Sequence, residues 1–154
     1  MNLQRKNAGL TRNSPLLVQR VAIRREQLRR AKENRLKLYK PYSKQLEFHA
    51  AGKEYRERLL MAANQVGKTL AGGAEYAMHL TGRYPDNWPG RAFDRPVIGW
   101  AAGLTLDKLK DGVQKWLFGR PNAFGTGMIP KDALIDYNMR RGAADVIESA
   151  EIKW

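Results

Sequence analysis

Residues Ala62-Ala63-Asn64-Gln65-Val66-Gly67-Lys68-Thr69 constrain the fold of this chain more than any other stretch. They follow the pattern of a phosphate-binding loop: a small residue, four variable positions, then Gly-Lys-Thr. The apolar run ahead of them, from Arg58 to Ala63, reads as a short buried strand. The Ala- and Leu-rich run after them, Thr69 to Leu80, reads as a helix. Strand, loop and helix in that order give the motif its meaning. Gly67 lets the backbone come close to a polyphosphate, and successive N–H groups at the helix start point toward its oxygens. Lys68 brings positive charge to the β- and γ-phosphates, and the Thr69 hydroxyl suits Mg²⁺. The first position is Ala62 rather than Gly, a looser form of the motif.

The charge distribution adds a second theme. The chain has 154 residues, with 28 Lys and Arg against 15 Asp and Glu, a net charge of +13. Residues 1–50 hold 13 of the basic residues against 3 Glu, so most of the excess lies ahead of the loop. A basic block of this kind points to nucleic acid or an acidic protein partner. A solvated, self-repelling helix face is the competing explanation. No apolar run is long enough to cross a membrane, and the polar, basic start leads into no apolar segment of the kind that directs secretion. Cysteine is absent, which excludes disulfides and thiolate metal sites. The composition suits a soluble nucleotide enzyme that also touches a polyanion.

Along the chain, residues 1–13 show no apolar periodicity and read as a mobile tail. Ser14-Pro15 suits a helix start, and Leu16 to about Leu38 contains no Gly or Pro. Leu17, Val21, Leu28 and Ala31 form only a thin apolar stripe on this helix. Arg20, Arg24, Arg25, Arg29, Arg30 and Arg35 cover much of the rest and are its candidate nucleic-acid contacts. A short helix from Ser43 to about Gly52 follows. Val97–Ala102 reads as a second apolar strand, Leu104–Leu117 as a helix, and Lys131–Asn138 as one or two helical turns. Ala144–Trp154 has strand character. Alternating strands and helices imply an α/β fold with parallel pairing through right-handed crossovers. The expected organisation is a basic tail and helix over residues 1–38, then a nucleotide-binding region over 39–154. Trp100, Trp116, Met61 and Met78 are expected in the core, with Met128-Ile129 anchoring the loop around them.

Three segments together resemble the N-terminal ATPase part of phage terminase large subunits, the motors that package DNA into procapsids. Tyr42-Ser43-Lys44-Gln45-Leu46-Glu47-Phe48-His49 is similar to that family's glutamine motif, which contacts adenine. Ala63 to Thr69 is similar to its phosphate loop. Leu80 to Gly90, with Gly125 to Pro130, resembles one bacteriophage and prophage branch. The chemistry agrees with the first assignment, because Gln45 carries both a donor and an acceptor, as reading the N6 and N7 edge of adenine requires. Tyr42 or Tyr39 would stack on the base. The resemblance implies a nucleotide site formed by Tyr42, Gln45, Ala63, Asn64, Gln65, Val66, Gly67, Lys68 and Thr69, with Thr69 on the metal. It implies ATP and Mg²⁺ as ligands. Double-stranded DNA, a portal protein and a small terminase subunit are the implied partners, in a ring of like subunits. The implied setting is the bacterial host cytoplasm and, transiently, the procapsid portal, with no membrane.

Two departures from the family pattern stand out. Many terminases have an arginine immediately before the loop glutamine, where this chain has Asn64. A cation for the transition state then has to come from elsewhere in the chain, with Arg83 or Arg91 of the following loop as candidates, or from a neighbouring subunit. No apolar strand ends in a paired Asp-Glu to hold Mg²⁺ and orient water. The family places that element, and its nuclease domain, beyond a stretch of this length, so the chain reads as the truncated first part of a longer protein, inactive as an ATPase alone. A non-catalytic nucleic-acid or protein-binding module with a vestigial loop is the alternative. His49 and His79 lack metal-ligand neighbours and read as structural. Trp88 and Tyr84 read as pins for their Gly- and Pro-rich loop rather than as stacking platforms for DNA bases.

Overall fold

The computed structural model describes residues 15–154; the tail and the proposed Ser14 cap lie outside the described residues. The chain divides into two compact units between Ala31 and Lys32. The first described element, helix α1 (Pro15–Glu33), begins at the proline and has no buried residue. Glu26 binds Arg29 at 2.7 Å and Arg30 at 2.7 Å along its surface, the one-turn spacing at which opposite charges on a helix meet. Those arginines, with Arg29 the leading influence, hold the Glu26 carboxyl down at about 2.

The continuous helix expected to reach Leu38 stops at Glu33. Leu36 is drawn into the core of the larger unit, and the Asn34 side chain accepts from the Lys37 N–H at 3.3 Å, so Leu36–Leu38 tightens into a 3₁₀ turn. A short polar side chain that captures a nearby N–H in this way competes with the helix ladder.

The core of the larger unit is built on helix α3 (Lys68–Thr81), which follows α2 (Ser43–Ala50). Ala71, Ala74, Ala77 and Met78 recur at three- and four-residue spacing and are buried together, the stripe of an amphipathic helix. Small alanines let neighbours approach closely. Ala74, Ala77 and Met78 form the core cluster with Leu36, Leu117, Met128, Ile129 and Ala133. The expected Leu104–Leu117 helix, α4, is present in three consecutive pieces: an α turn at Leu106–Lys108, a π segment at Leu109–Gln114 and an α turn at Lys115–Leu117. Buried Gln114 donates to the Asp145 carbonyl at 2.7 Å and accepts from the Ile147 N–H at 2.8 Å, stapling the start of the second strand.

Residues 118–130 fold back over the end of α4, through Met128 N–H to Trp116 C=O at 2.8 Å and Ile129 N–H to Leu117 C=O at 2.9 Å. Gly127 makes this approach possible, since a Cβ there would lie 2.2 Å from the Leu117 carbonyl oxygen. Met128 and Ile129 therefore anchor the loop as expected.

One secondary-structure expectation changes. Lys131–Asn138 is not helical; Leu134–Met139 forms β1, paired antiparallel with β2 (Ile147–Ile152). Tyr137 faces Ala150 and Asn138 faces Ser149, with a side-chain hydrogen bond at 3.2 Å. Pairing with a partner strand overrides the local helical preference of Asp132-Ala133-Leu134. The segments Leu59–Ala63 and Val97–Ala102, read as parallel strands, carry no ladder, and the sheet among the described residues is this antiparallel pair. Met61 and Trp100, expected in the core, are 80% and 92% exposed, as are Leu59 and Ile98 at 82% and 94%. A strand satisfies its backbone only through neighbours, and these segments have none among the described residues.

Candidate nucleotide site

The loop Ala62–Gly67 leads directly into the first turn of α3. Gly67 takes a left-handed conformation, φ +76°, at the helix cap, and Gln65 is also left-handed at φ +63°. The first is easy for glycine, whereas the second is uncommon for a residue with a Cβ, which marks the loop as a specific conformation. The Lys68 ammonium turns back on its own loop and donates to the carbonyls of Ala62 and Ala63, the latter at 2.6 Å. Asn64, Gln65, Val66 and Thr69 are exposed.

Helix α2 lies against this loop and brings the two predicted base-reading residues to it. Gln45 is only 4% exposed. Its Nε2 donates to the Gly67 carbonyl at 3.3 Å, and its Oε1 accepts from the Tyr42 N–H at 3.4 Å. The Tyr42 hydroxyl donates to the Val66 carbonyl. A Cβ on Gly67 would stand 3.0 Å from the Gln45 nitrogen, so this glycine is required twice, for its φ and for the space. The structure thus brings Tyr42, Gln45, Gly67 and Lys68 together. A cleft of about 800 Å³ lies elsewhere, along Tyr39, Leu46, Tyr84 and Trp88, and no residue of the loop lines it.

Behind Gln45 lies a buried polar cluster that the motifs do not announce. Glu75, on the buried side of α3, accepts from His49 Nδ1 at 2.9 Å and from Arg58 at 2.8 and 3.2 Å. Burial pushes its carboxyl up, but the hydrogen bonds from His49, His79 and Arg58 outweigh that and hold it well below the usual carboxylate range. On its other side His49 meets the Tyr39 hydroxyl at 2.9 Å. Burial, with the charge of Glu75 adding to it, raises the Tyr39 hydroxyl above the usual phenol range, so it stays protonated. Arg58 also lies over the Phe48 ring at 4.5 Å and donates to the Phe48 carbonyl at 2.7 Å. The signal available in sequence was a glutamate interrupting the apolar stripe of α3 one helical turn before His79.

Comparison with known proteins places the chain in a family. The family model for the terminase large subunit, T4likevirus-type, N-terminal, matches residues 59–153, more than half of the chain. The chain belongs to this family. The terminase match includes residues 62–69, while Tyr42 and Gln45 lie ahead of it. The terminase large subunit of Salmonella phage P22 is 41% identical over 114 residues, covering 64% of this chain and 23% of the relative. The chain therefore spans about a quarter of that terminase's length. No solved structure matches the chain.

The remaining sequence candidates separate. Arg20, Arg24, Arg25, Arg29 and Arg30 all lie exposed on α1. Arg35 lies beyond the helix, its guanidinium 5.4 Å from the Trp116 ring centre. Arg83 is bidentate to Asp132 at 3.0 and 2.7 Å, and Arg91 donates to the Lys53 carbonyl at 3.3 Å. Tyr84 and Trp88 pin their loop: Tyr84 meets His79 at 2.9 Å and accepts from the Phe93 N–H, and Trp88 lies 4.8 Å from the His49 ring. No helix among the described residues is long and apolar enough to cross a membrane.

Proposed function

We propose that this chain is the ATP-binding part of a viral or prophage DNA-packaging motor. The observation that carries the reading is the loop closing on α3 through left-handed Gly67, with Gln45 bonded to the Gly67 carbonyl and Lys68 to the Ala63 carbonyl. The residues fit a polyphosphate: N–H groups at the start of α3 face the loop, and the helix dipole favours an anion there. Lys68 exchanges the Ala62 and Ala63 carbonyls for phosphate oxygens, and Thr69 stands exposed in the first turn to reach Mg²⁺. The Thr69 hydroxyl would hold Mg²⁺ there, and the ion would supply positive charge against the phosphates. Gln45 and Tyr42 take the base, with Tyr42 leaving the Val66 carbonyl as it does so.

The finer fold follows from the same reading. Leu59–Ala63 and Val97–Ala102 are central strands of a parallel nucleotide-binding sheet, and their exposed apolar side chains face elements supplied by the longer protein. That protein also supplies the carboxylates that hydrolysis needs, and a transition-state cation. In it, hydrolysis drives translocation of double-stranded DNA at the procapsid portal in the host cytoplasm, within a ring of subunits that meets the portal and the small terminase subunit.

A fluorescent ATP analogue titrated with Mg²⁺ into wild type and Lys68→Ala tests the site. Each charge-assisted hydrogen bond contributes ~1.5–3 kcal/mol, so the variant should lose at least tenfold in affinity. Unchanged affinity would remove the assignment. One observation favours a second role for α1: its five arginines are exposed and none of its residues is buried. As a DNA-binding helix it should show a salt slope of log K of about −4.5 with five phosphate contacts, unaffected by Lys68→Ala.

A further inference from the structure

In the buried chain of hydrogen bonds behind the loop, the available acceptors limit where each proton can sit. Ionised Glu75 is an acceptor only, so His49 gives it the Nδ1 proton. With the ring proton on Nδ1, Nε2 is the acceptor for Tyr39. The Tyr39 hydroxyl has one proton and two acceptors within reach, His49 Nε2 at 2.9 Å and Gln45 Oε1 at 3.4 Å. The shorter contact wins. The Gln45 amide itself is fixed in orientation, because flipping it would set its NH₂ against the Tyr42 N–H and its oxygen against the Gly67 carbonyl. Oε1 has two lone pairs, and Tyr42 N–H takes one. Its second is free only while Tyr39 gives its proton to His49.

We infer that His49, held by Glu75, is a positioning residue for base selection: it draws the Tyr39 proton away from Gln45 and keeps one lone pair of Oε1 open to the exocyclic amino group of adenine. This rests on the nucleotide reading above and deepens it. Neither His49 nor Tyr39 touches the base. A base carrying a carbonyl at the same position, as guanine does, offers no proton to that lone pair and is selected against. The phosphates are held by the loop and Lys68, so their binding does not depend on this proton.

The experiment compares Mg–ATP, Mg–GTP and inorganic tripolyphosphate binding to wild type, His49→Phe, Tyr39→Phe and the double variant. One hydrogen bond of this kind changes affinity by about tenfold. Wild type should prefer ATP to GTP by about that factor. His49→Phe should lose the preference, because Tyr39 then turns its proton to Gln45, while tripolyphosphate affinity stays within about twofold. Tyr39→Phe should keep the preference, since the competing proton is gone. The double variant should regain it, a rescue that a packing role does not produce. Should His49→Phe fail to fold, Tyr39→Phe still decides: loss of ATP preference there overturns the inference. Retention of the preference in folded His49→Phe also overturns it and leaves the nucleotide site standing. Equal binding of all three ligands by wild type removes base reading by Gln45, and the inference with it.

Discussion

The two flanks of the loop behave differently. On the side of α2 and α3, polar groups are buried and all matched: Glu75 sits among His49, Arg58 and His79, and no side-chain polar atom is left buried without a partner among the described residues. On the side of Leu59–Ala63 and Val97–Ala102, apolar side chains stand in solvent. A helix closes its own hydrogen bonds and needs only one covered face, whereas a central strand needs neighbours on both edges and both faces. The helical flank is therefore complete within this chain, and the strand flank has the composition of a core without the partners that make one.

The comparison breaks most readily at Glu75. Glu75→Ala leaves His49 buried without its acceptor and removes the partner of partly exposed Arg58, and should cost about 3 kcal/mol in chemical denaturation. Loss under about 1 kcal/mol would mean that the cluster contributes little. Gly127→Ala comes next. Its Cβ would collide with the Leu117 carbonyl, and the backbone shift should cost about 2 kcal/mol, read as a lower Tm.

A pH series gives a smaller effect of definite sign. The Glu75 carboxyl is depressed below its ordinary value of 4.5. Its contribution is thus fully present above that pH and is lost progressively as pH falls below it. Wild type should lose more stability than Glu75→Gln between about pH 5 and pH 3. Equal losses would contradict the assignment. Smallest of all, Leu59→Ser and Trp100→Ser should change stability by less than about 0.5 kcal/mol, because nothing among the described residues covers them. They should also raise solubility by removing exposed apolar surface. A large destabilisation would place these side chains in a formed core.

What was legible in the sequence followed the same division. The loop and α3 were readable because Gly67-Lys68-Thr69 punctuates an Ala-rich helical run, and α2 and β2 because their patterns are local. The Gly- and Pro-rich loop of Tyr84 and Trp88 was also readable as a packed element. Pairing decisions were not local. Leu134–Met139 carries helix formers at one end and becomes a strand only because β2 lies beside it. The end of α1 depended on Leu36 being taken into the core. Leu59–Ala63 and Val97–Ala102 have strand composition, but composition does not supply a neighbour. Within the site, the motif residues were legible and their supporting cluster was not, since nothing in the spacing of Tyr39, His49, Arg58 and Glu75 shows that they meet.

The most direct test of the nucleotide site is a map of backbone amide exchange with and without Mg–ATP. The account predicts slowed exchange confined to Val66–Leu70 and the start of α2 around Tyr42–Gln45, lost in Lys68→Ala. Protection absent there, or appearing instead along α1, would contradict it.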